Sequence, residues 1–115
     1  MSHPVVHFEV AGKDLGKLQQ FYGELFGWKT EQVEGEMPYA LVEKEDGGIG
    51  GGIGETPDGN GHVTFYVDTD DPQATLDKAE RLGGTTIMPV TELPQVTIAL
   101  FADPEGHVVG LAKGM

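Results

Sequence analysis

The chain has 115 residues, no cysteine, and 19 acidic residues against 7 basic ones, for a formal net charge of −12. A chain of this length forms one compact unit with a real core, and without cysteine it has neither disulfides nor thiol chemistry. Its acidic surface repels nucleic-acid phosphates and anionic lipids, and it contains no apolar run of the length a membrane span needs. We therefore expect a cytoplasmic protein that binds neither nucleic acid nor membrane.

The first half of the chain predicts a strand, a helix and three more strands. Val6–Val10 alternates apolar and polar residues, as a half-buried strand does. Asp14 can cap a helix whose apolar residues recur at helical spacing, and Gly27 stands where such a helix usually ends. The three later strands are expected at 28–33, 39–43 and 47–54, with a turn over 35–38 between the first two.

The second half repeats this order of elements. His62–Val67 alternates in the same way. Asp70 or Asp71 can cap a helix that has Pro72 in its first turn, and a Gly-Gly pair follows that helix. The three later strands are expected near 85–88, 95–101 and 108–112, with a turn over 103–106 before the last.

The two halves also correspond in position. His7 and His62, each at the start of an alternating strand, are 55 residues apart. Internal repeats of this size indicate duplicated units that bury a common core. We therefore predict one α+β domain made of two modules, residues 1–57 and 58–115, each a strand followed by a helix and three strands.

Each module opens on a strand with an apolar and a polar face. The apolar faces, expected to pack against the helices, hold Val6, Phe8 and Val10 in one module and Val63, Phe65 and Val67 in the other. The polar faces, expected to meet solvent, a partner subunit or a cavity, hold His7 and Glu9 in one module and His62, Thr64 and Tyr66 in the other. Neutral imidazole is a common metal ligand and an acid–base group. His7, Glu9 and His62 are therefore candidate catalytic residues, and His7 and His62 are candidate ligands of Zn, Ni, Fe or Mn.

The segment GGIGGGIG at 47–54 raises a choice between a phosphate-binding loop and a strand. It is followed by Glu55-Thr56-Pro57 and lacks the lysine and the helix that a phosphate loop requires. We therefore interpret it as a strand without side chains. Glycine in a strand marks the close approach of a ligand or of another backbone, or else a bulged edge, and these alternatives stay open.

Longer stretches of the sequence resemble the vicinal oxygen chelate superfamily, which includes glyoxalase I, bleomycin- and fosfomycin-resistance proteins and extradiol dioxygenases. They are VVHFEVAGKDLGKLQQFYGELFGWK in the first half, and GHVTFYVDTDDPQATLDKAERLGG and FADPEGHVVGL in the second. The resemblance covers essentially the whole chain. It implies two βαβββ modules that form a curved, eight-stranded open-barrel cavity for a small molecule, and it implies a homodimer.

The resemblance also implies where a metal would bind, because metal-using members take up to four ligands from four strands. The histidine positions fall on His7 and His62. The carboxylate positions fall around Gly50–Gly52 and on Gly110, where this sequence has no acid. A catalytic metal generally needs at least three protein ligands. We therefore expect an incomplete site without a resident metal, although Glu9 could add a carboxylate.

Further candidates for binding a small molecule lie on the same strand faces or beside the first helix: Tyr66, Thr64, Trp28, Tyr39 and Phe101. Each has an alternative role as a wall or core residue. Trp28, which follows the first helix, packs either in the core or at the mouth of a cavity. His107, in the Asp-Pro-Glu-Gly-His turn, is expected to make local hydrogen bonds.

Three functions are consistent with the sequence. In the first, a glyoxalase- or bleomycin-resistance-like protein binds a small organic molecule without a full metal site. In the second, His7 and His62 serve a metal-dependent lyase or dioxygenase. In the third, the domain has no ligand and serves structure or interaction. Acyl-enzyme chemistry is disfavoured, because there is no cysteine and the single serine is Ser2.

Overall fold

The computed structural model describes residues 2–35 and 37–115. Its elements, in chain order, are β1 (Val5–Gly12), α1 (Leu15–Phe26), β2 (Thr30–Val33), β3 (Tyr39–Val42), β4 (Gly51–Glu55), β5 (His62–Asp68), α2 (Pro72–Arg81), β6 (Thr85–Glu92), β7 (Thr97–Ala102) and β8 (Val108–Lys113). This order confirms the predicted α+β class and its two βαβββ modules. Glu36, in the turn predicted over 35–38, lies outside the described residues. None of the described helices is long and apolar enough to cross a membrane.

The described chain separates into two compact units. His7–Val63 is the first unit, and Thr64–Met115 together with residues 2–6 is the second. Residues 55–61, which contain the predicted boundary between the modules, lie inside the first unit. The N-terminal residues belong to the second unit through two contacts with Asp68. His3 Nδ1 lies 2.9 Å from the Asp68 carbonyl oxygen, and the Asp68 amide donates a hydrogen bond to the Pro4 carbonyl.

The first unit holds four strands in the order β2–β3–β4–β1, with β1 and β4 parallel and the other pairs antiparallel. α1 begins at Leu15 because the Asp14 carboxylate accepts a hydrogen bond from the Lys17 amide at 3.0 Å. It ends before Gly27, whose φ of 74° is the left-handed conformation that glycine adopts without strain. The core beneath α1 consists of Leu15, Ala40, Val42 and Ile53.

The apolar surface of α1 is wider than the surface that the core buries. Leu15, Leu18 and Tyr22 reach the core. Phe21 and Leu25, which helical spacing also predicts on the packed face, are 57% and 58% exposed. They lie on the flank of the helix, beyond the row of residues that meets the sheet.

The glycine segment forms a strand only in its second half. Its first half is a turn in which Gly47 has a φ of 79°. β4 begins at Gly51, and its first four residues are buried between β1 and β3. The prediction of a strand over 47–54 is therefore corrected to Gly51–Glu55. The backbone between two neighbouring strands is hydrogen-bonded on both sides, which compensates for the low strand propensity of glycine.

The second unit holds four strands in the order β5–β8–β7–β6, with β5 and β8 parallel and the other pairs antiparallel. Asp71 caps α2 by accepting a hydrogen bond from the Ala74 amide at 3.0 Å, and Pro72 occupies the first turn, where no amide hydrogen is needed. The core of this unit consists of Leu76, Ala99 and Leu111.

The two faces of β5 differ from the predicted pattern. Val63 and Phe65, expected under a helix, are 75% and 42% exposed, whereas Thr64 and Tyr66 are buried. The reason is the position of α2, which packs on β6, β7 and β8. Of the three predicted apolar residues of this strand, Val67 is the one that packs against the core under α2.

Candidate functional site

Hydrogen bonds join His7, Tyr39, Glu9 and His62 in the first unit, and we call these four residues the relay cluster. His7 Nε2 lies 2.9 Å from the Tyr39 hydroxyl oxygen. That hydroxyl donates to Glu9 Oε1 at 3.0 Å, and His62 Nε2 lies 2.6 Å from Glu9 Oε2. The candidate catalytic residues His7, Glu9 and His62 are therefore brought together, and Tyr39 connects two of them.

Strand geometry explains how Tyr39 reaches the cluster. His7 and Glu9 are two residues apart on β1 and so project from the same face. Glu9 is paired with Gly52 of β4, and Tyr39 of β3 is paired with Gly54. The Tyr39 ring crosses β4 over these glycines, and its hydroxyl arrives beside Glu9.

The glycines of β4 are what makes room for that ring. A Cβ on Gly52 would overlap the Tyr39 hydroxyl, and a Cβ on Gly54 would lie 2.7 Å from the ring. On the opposite face of β4, a Cβ on Gly51 would overlap the ring of Phe8. Glycine at these positions therefore marks the close approach of aromatic side chains. The alternatives expected from the sequence were a ligand, another backbone or a bulged edge, and did not include an aromatic side chain.

The protonation of the cluster follows from the hydrogen bonds. The Tyr39 hydroxyl has one hydrogen, which it donates to Glu9, so its oxygen accepts from His7 Nε2. His7 is 7% exposed, and this burial lowers its pKa from the ordinary value of 6.5, with the nearby Glu9 opposing the shift. Burial therefore favours the neutral form of His7, and in that form Nε2 carries the hydrogen that the Tyr39 hydroxyl oxygen accepts.

The cluster reaches the surface at one end. The side chain of His62 is 36% exposed and that of Glu9 is 13% exposed, while His7 is buried. A buried neutral imidazole, a carboxylate and a phenol can donate and accept hydrogen bonds, and an imidazole held in one tautomer can act as a general base.

The residues present do not fit a catalytic metal. The implied carboxylate positions are glycines, and no three His, Cys, Asp or Glu side chains within residues 2–35 and 37–115 are grouped as metal ligands require. The Tyr39 hydroxyl also stands between His7 and Glu9, because both side chains hydrogen-bond to it. Neutral phenol is not among the usual ligands of these metals.

Trp28, the remaining candidate residue of the first unit, lies among aromatic rings outside the relay cluster. The Trp28 ring lies 5.0 Å from that of Phe8 and 5.2 Å from those of Tyr22 and Phe26, measured between ring centroids. It packs against the core cluster beneath α1. Of the two roles open for Trp28, the structure therefore places it in the core packing.

Three candidate residues belong to the second unit. Tyr66 is 6% exposed and its ring covers Gly110, where a Cβ would overlap it. Thr64 donates a hydrogen bond to the Val108 carbonyl at 2.6 Å. Phe101 packs against the core of this unit and lines a shallow apolar groove beside α2. As expected, His107 makes a local contact, with Nδ1 lying 3.0 Å from Asp103 Oδ2.

Two βαβββ modules, each with a histidine on its opening strand, define the vicinal oxygen chelate class of fold. The chain belongs to the glyoxalase-like domain family, whose model matches residues 7–112. A glyoxylase-like domain-containing protein from Didymella fabae is 27% identical to it over 110 residues, which cover 86% of this chain and 84% of that protein. The resemblance seen in the sequence is therefore confirmed.

Solved structures resemble the chain along its whole length. A methylmalonyl-CoA epimerase in complex with methylmalonyl-CoA and NH4+ has a TM-score of 0.73 and 17% identity, covering 99% of this chain and 96% of that one. A hypothetical protein from Bacillus halodurans C-125 has a TM-score of 0.77 and 12% identity, covering 100% and 96% of the two chains. At these identities the likeness shows the fold alone.

Proposed function

We propose that this protein binds a small organic molecule at the relay cluster, through hydrogen bonds and without a metal. The observation that carries the proposal is the Tyr39 hydroxyl, which links His7 Nε2 at 2.9 Å to Glu9 Oε1 at 3.0 Å. A few convergent polar groups are typical of the part of a small-molecule site that fixes the orientation of the ligand. His62, whose side chain is 36% exposed, marks the side from which the molecule approaches.

The charge of the chain favours a neutral or cationic ligand. The structurally similar epimerase is described in complex with methylmalonyl-CoA, whose phosphates and carboxylate make it strongly anionic. The relay cluster contains a carboxyl group and neither lysine nor arginine, so it offers no permanent positive charge to a phosphate, and the chain as a whole has a net charge of −12. We therefore infer that the ligand is not a CoA ester.

A binding screen tests this proposal. Ligand-observed NMR with a library of neutral, cationic and anionic fragments should give hits among the neutral and cationic compounds, with none from methylmalonyl-CoA. Backbone and histidine signals of the cluster should shift on binding, and His62→Gln should weaken binding by about tenfold, as the loss of one hydrogen bond does. His107→Gln, which changes a histidine of the second unit, is the matched control and should bind normally. Hits that leave the cluster signals unmoved would contradict the proposal.

The second candidate is a metal-dependent lyase or dioxygenase that uses His7 and His62. One observation favours it, since Glu9 contacts His62 directly and is linked to His7 through the Tyr39 hydroxyl, and could supply a third ligand. Its distinguishing result is one tightly bound Zn, Ni, Fe or Mn per chain that His7→Gln removes. The third candidate, an interaction domain without a ligand, would give neither metal nor fragment binding.

We also propose that the chain forms a homodimer through the exposed face of α1. Phe21, Leu25 and Phe26 are each more than half exposed there, and exposed apolar patches mark interaction surfaces. Residues 13–29 carry three lysines and two acids, whereas the whole chain has a net charge of −12. Two copies of the chain can therefore pack through this face without strong charge repulsion. We propose that the partner of this face is a second copy of the chain.

A further inference from the structure

The Tyr39 hydroxyl lies at the position where a metal in the relay cluster would have to bind. The hydroxyl is within hydrogen-bond distance of both His7 Nε2 and Glu9 Oε1. It also lies where a side chain on Gly52 would begin. The sequence resemblance implies that a carboxylate from this part of β4 would meet the metal, and in this chain a phenol enters the same space from β3.

We propose that Tyr39 takes the place of the metal, and that the β4 glycines admit it. The hydroxyl accepts from one would-be ligand and donates to another, so it satisfies both groups at 2.9 Å and 3.0 Å with no cation. A divalent ion would need these atoms at about 2.0–2.2 Å, and the phenol bars it from that position. Tyr39 is thus the residue that sets the ligand chemistry of the site.

The inference predicts that removal of the phenol exposes a latent metal site. With Tyr39 shortened, His7 loses its hydrogen-bond partner at Nε2, and Glu9 loses one of its donors. His62 remains beside the other oxygen of the same carboxylate. Two imidazoles and one carboxylate are a donor set that divalent transition metals accept.

The experiment measures Co²⁺ affinity by absorption spectroscopy and calorimetry, with circular dichroism to verify folding. We expect wild-type protein to bind Co²⁺ weakly, and Tyr39→Leu to bind one Co²⁺ per chain at least about tenfold more tightly, a difference of about 1.4 kcal/mol. Adding His7→Gln to Tyr39→Leu should abolish that gain. Tyr66→Leu is the matched control, because it removes the tyrosine that covers Gly110 in the second unit, and it should not raise Co²⁺ affinity.

The proposal rests on the metal-free site of the proposed function, and the outcomes separate the two. A stoichiometric, tightly held Co²⁺ in wild-type protein that His7→Gln removes would overturn both. Equally weak Co²⁺ binding by folded wild-type and Tyr39→Leu proteins would overturn the role of Tyr39 alone. If Tyr39→Leu does not fold, Tyr39→Ala/Gly52→Glu restores an acid on β4 without the overlap. It should bind Co²⁺ at least about tenfold more tightly than Tyr39→Ala/Gly52→Gln, and equal affinities would overturn the proposal.

Discussion

The ring of Tyr66 lies on the backbone of Gly110, its partner on the neighbouring strand β8. The same relationship joins Tyr39 to Gly52 and Gly54 in the first unit. An aromatic side chain that covers a glycine in a sheet protects the exposed backbone and recovers packing that glycine lacks. Gly110, and Gly52 within the Gly50–Gly52 stretch, are thus glycines under a tyrosine ring at positions where the resemblance implies a carboxylate.

Gly110→Ala should destabilise the protein by about 1–3 kcal/mol, because the added methyl group overlaps the buried Tyr66 ring. The measurement is urea unfolding followed by circular dichroism. The matched control is Gly48→Ala, where the nearest atom to an added Cβ is the Glu45 carbonyl oxygen at an ordinary 3.6 Å. Equal free energies of unfolding for the two variants would contradict the packing of Tyr66 on Gly110.

Gly52→Ala and Tyr39→Leu should have effects that do not add. Alone, Gly52→Ala should cost about 1–3 kcal/mol through overlap with the phenol. In the Tyr39→Leu background the overlap is absent, so the same substitution should cost less by about 0.5–3 kcal/mol. A double-mutant cycle in urea measures this coupling, and simple additivity would show that the phenol does not lie on Gly52.

The stability of the protein should fall as the pH drops below about 6.5, in part because of His7. The folded pKa of His7 is lowered by burial, so the unfolded chain binds the proton more readily than the folded chain in this window. The contribution of His7 is complete above pH 6.5 and is lost as the pH falls through its folded pKa. Asp58 and Asp103, whose pKa values are held below 3.8 by hydrogen bonds, titrate in a lower range.

His7→Gln should flatten that dependence. Unfolding free energies measured from pH 7.5 to 5 should decline less steeply in His7→Gln than in wild-type protein, while His107→Gln should retain the slope that His7 contributes. Parallel curves for wild-type and His7→Gln proteins would mean that His7 titrates alike in the folded and unfolded states.

The proposed homodimer should dissociate when the α1 face becomes polar. Light scattering after gel filtration should give twice the mass of the 12.3 kDa chain for wild-type protein, and Leu25→Ser/Phe26→Ser should give the monomer mass. Both residues are 58% exposed, and because the Phe26 ring also packs on Trp28, circular dichroism should verify that the variant is folded. Leu82→Ser, at a 70% exposed position after α2, is the control and should remain dimeric. A monomeric wild-type protein would contradict the proposal.

Local patterns in the sequence were sufficient to place most elements. The predicted caps Asp14 and Asp71 and the helix-ending Gly27 all have those roles, because capping depends on a few neighbouring residues. The glycine segment was harder, since glycine weakens a strand by propensity and its pairing with β1 and β3 is long-range.

The grouping of His7, Glu9 and His62 could be anticipated in part, because strand alternation puts His7 and Glu9 on one face and the repeat equates His7 with His62. Tyr39 was a candidate binding residue, but its position between His7 and Glu9 could not be anticipated. Tyr39 reaches Glu9 by crossing β4, and that path depends on the register of three strands far apart in sequence. The signal that would have revealed this position is a tyrosine on one strand paired antiparallel with a strand of several glycines, because the ring can then lie over the glycine backbone.

The sequence by itself determined the duplicated βαβββ order, the acidic charge and the absence of two acids at the implied ligand positions, because periodicity, composition and residue identity are local properties. The tertiary structure alone decided what fills those positions. Strand pairing brings Tyr39 over Gly52 and Tyr66 over Gly110, and pairing depends on packing and hydrogen bonds between segments that the chain order keeps apart.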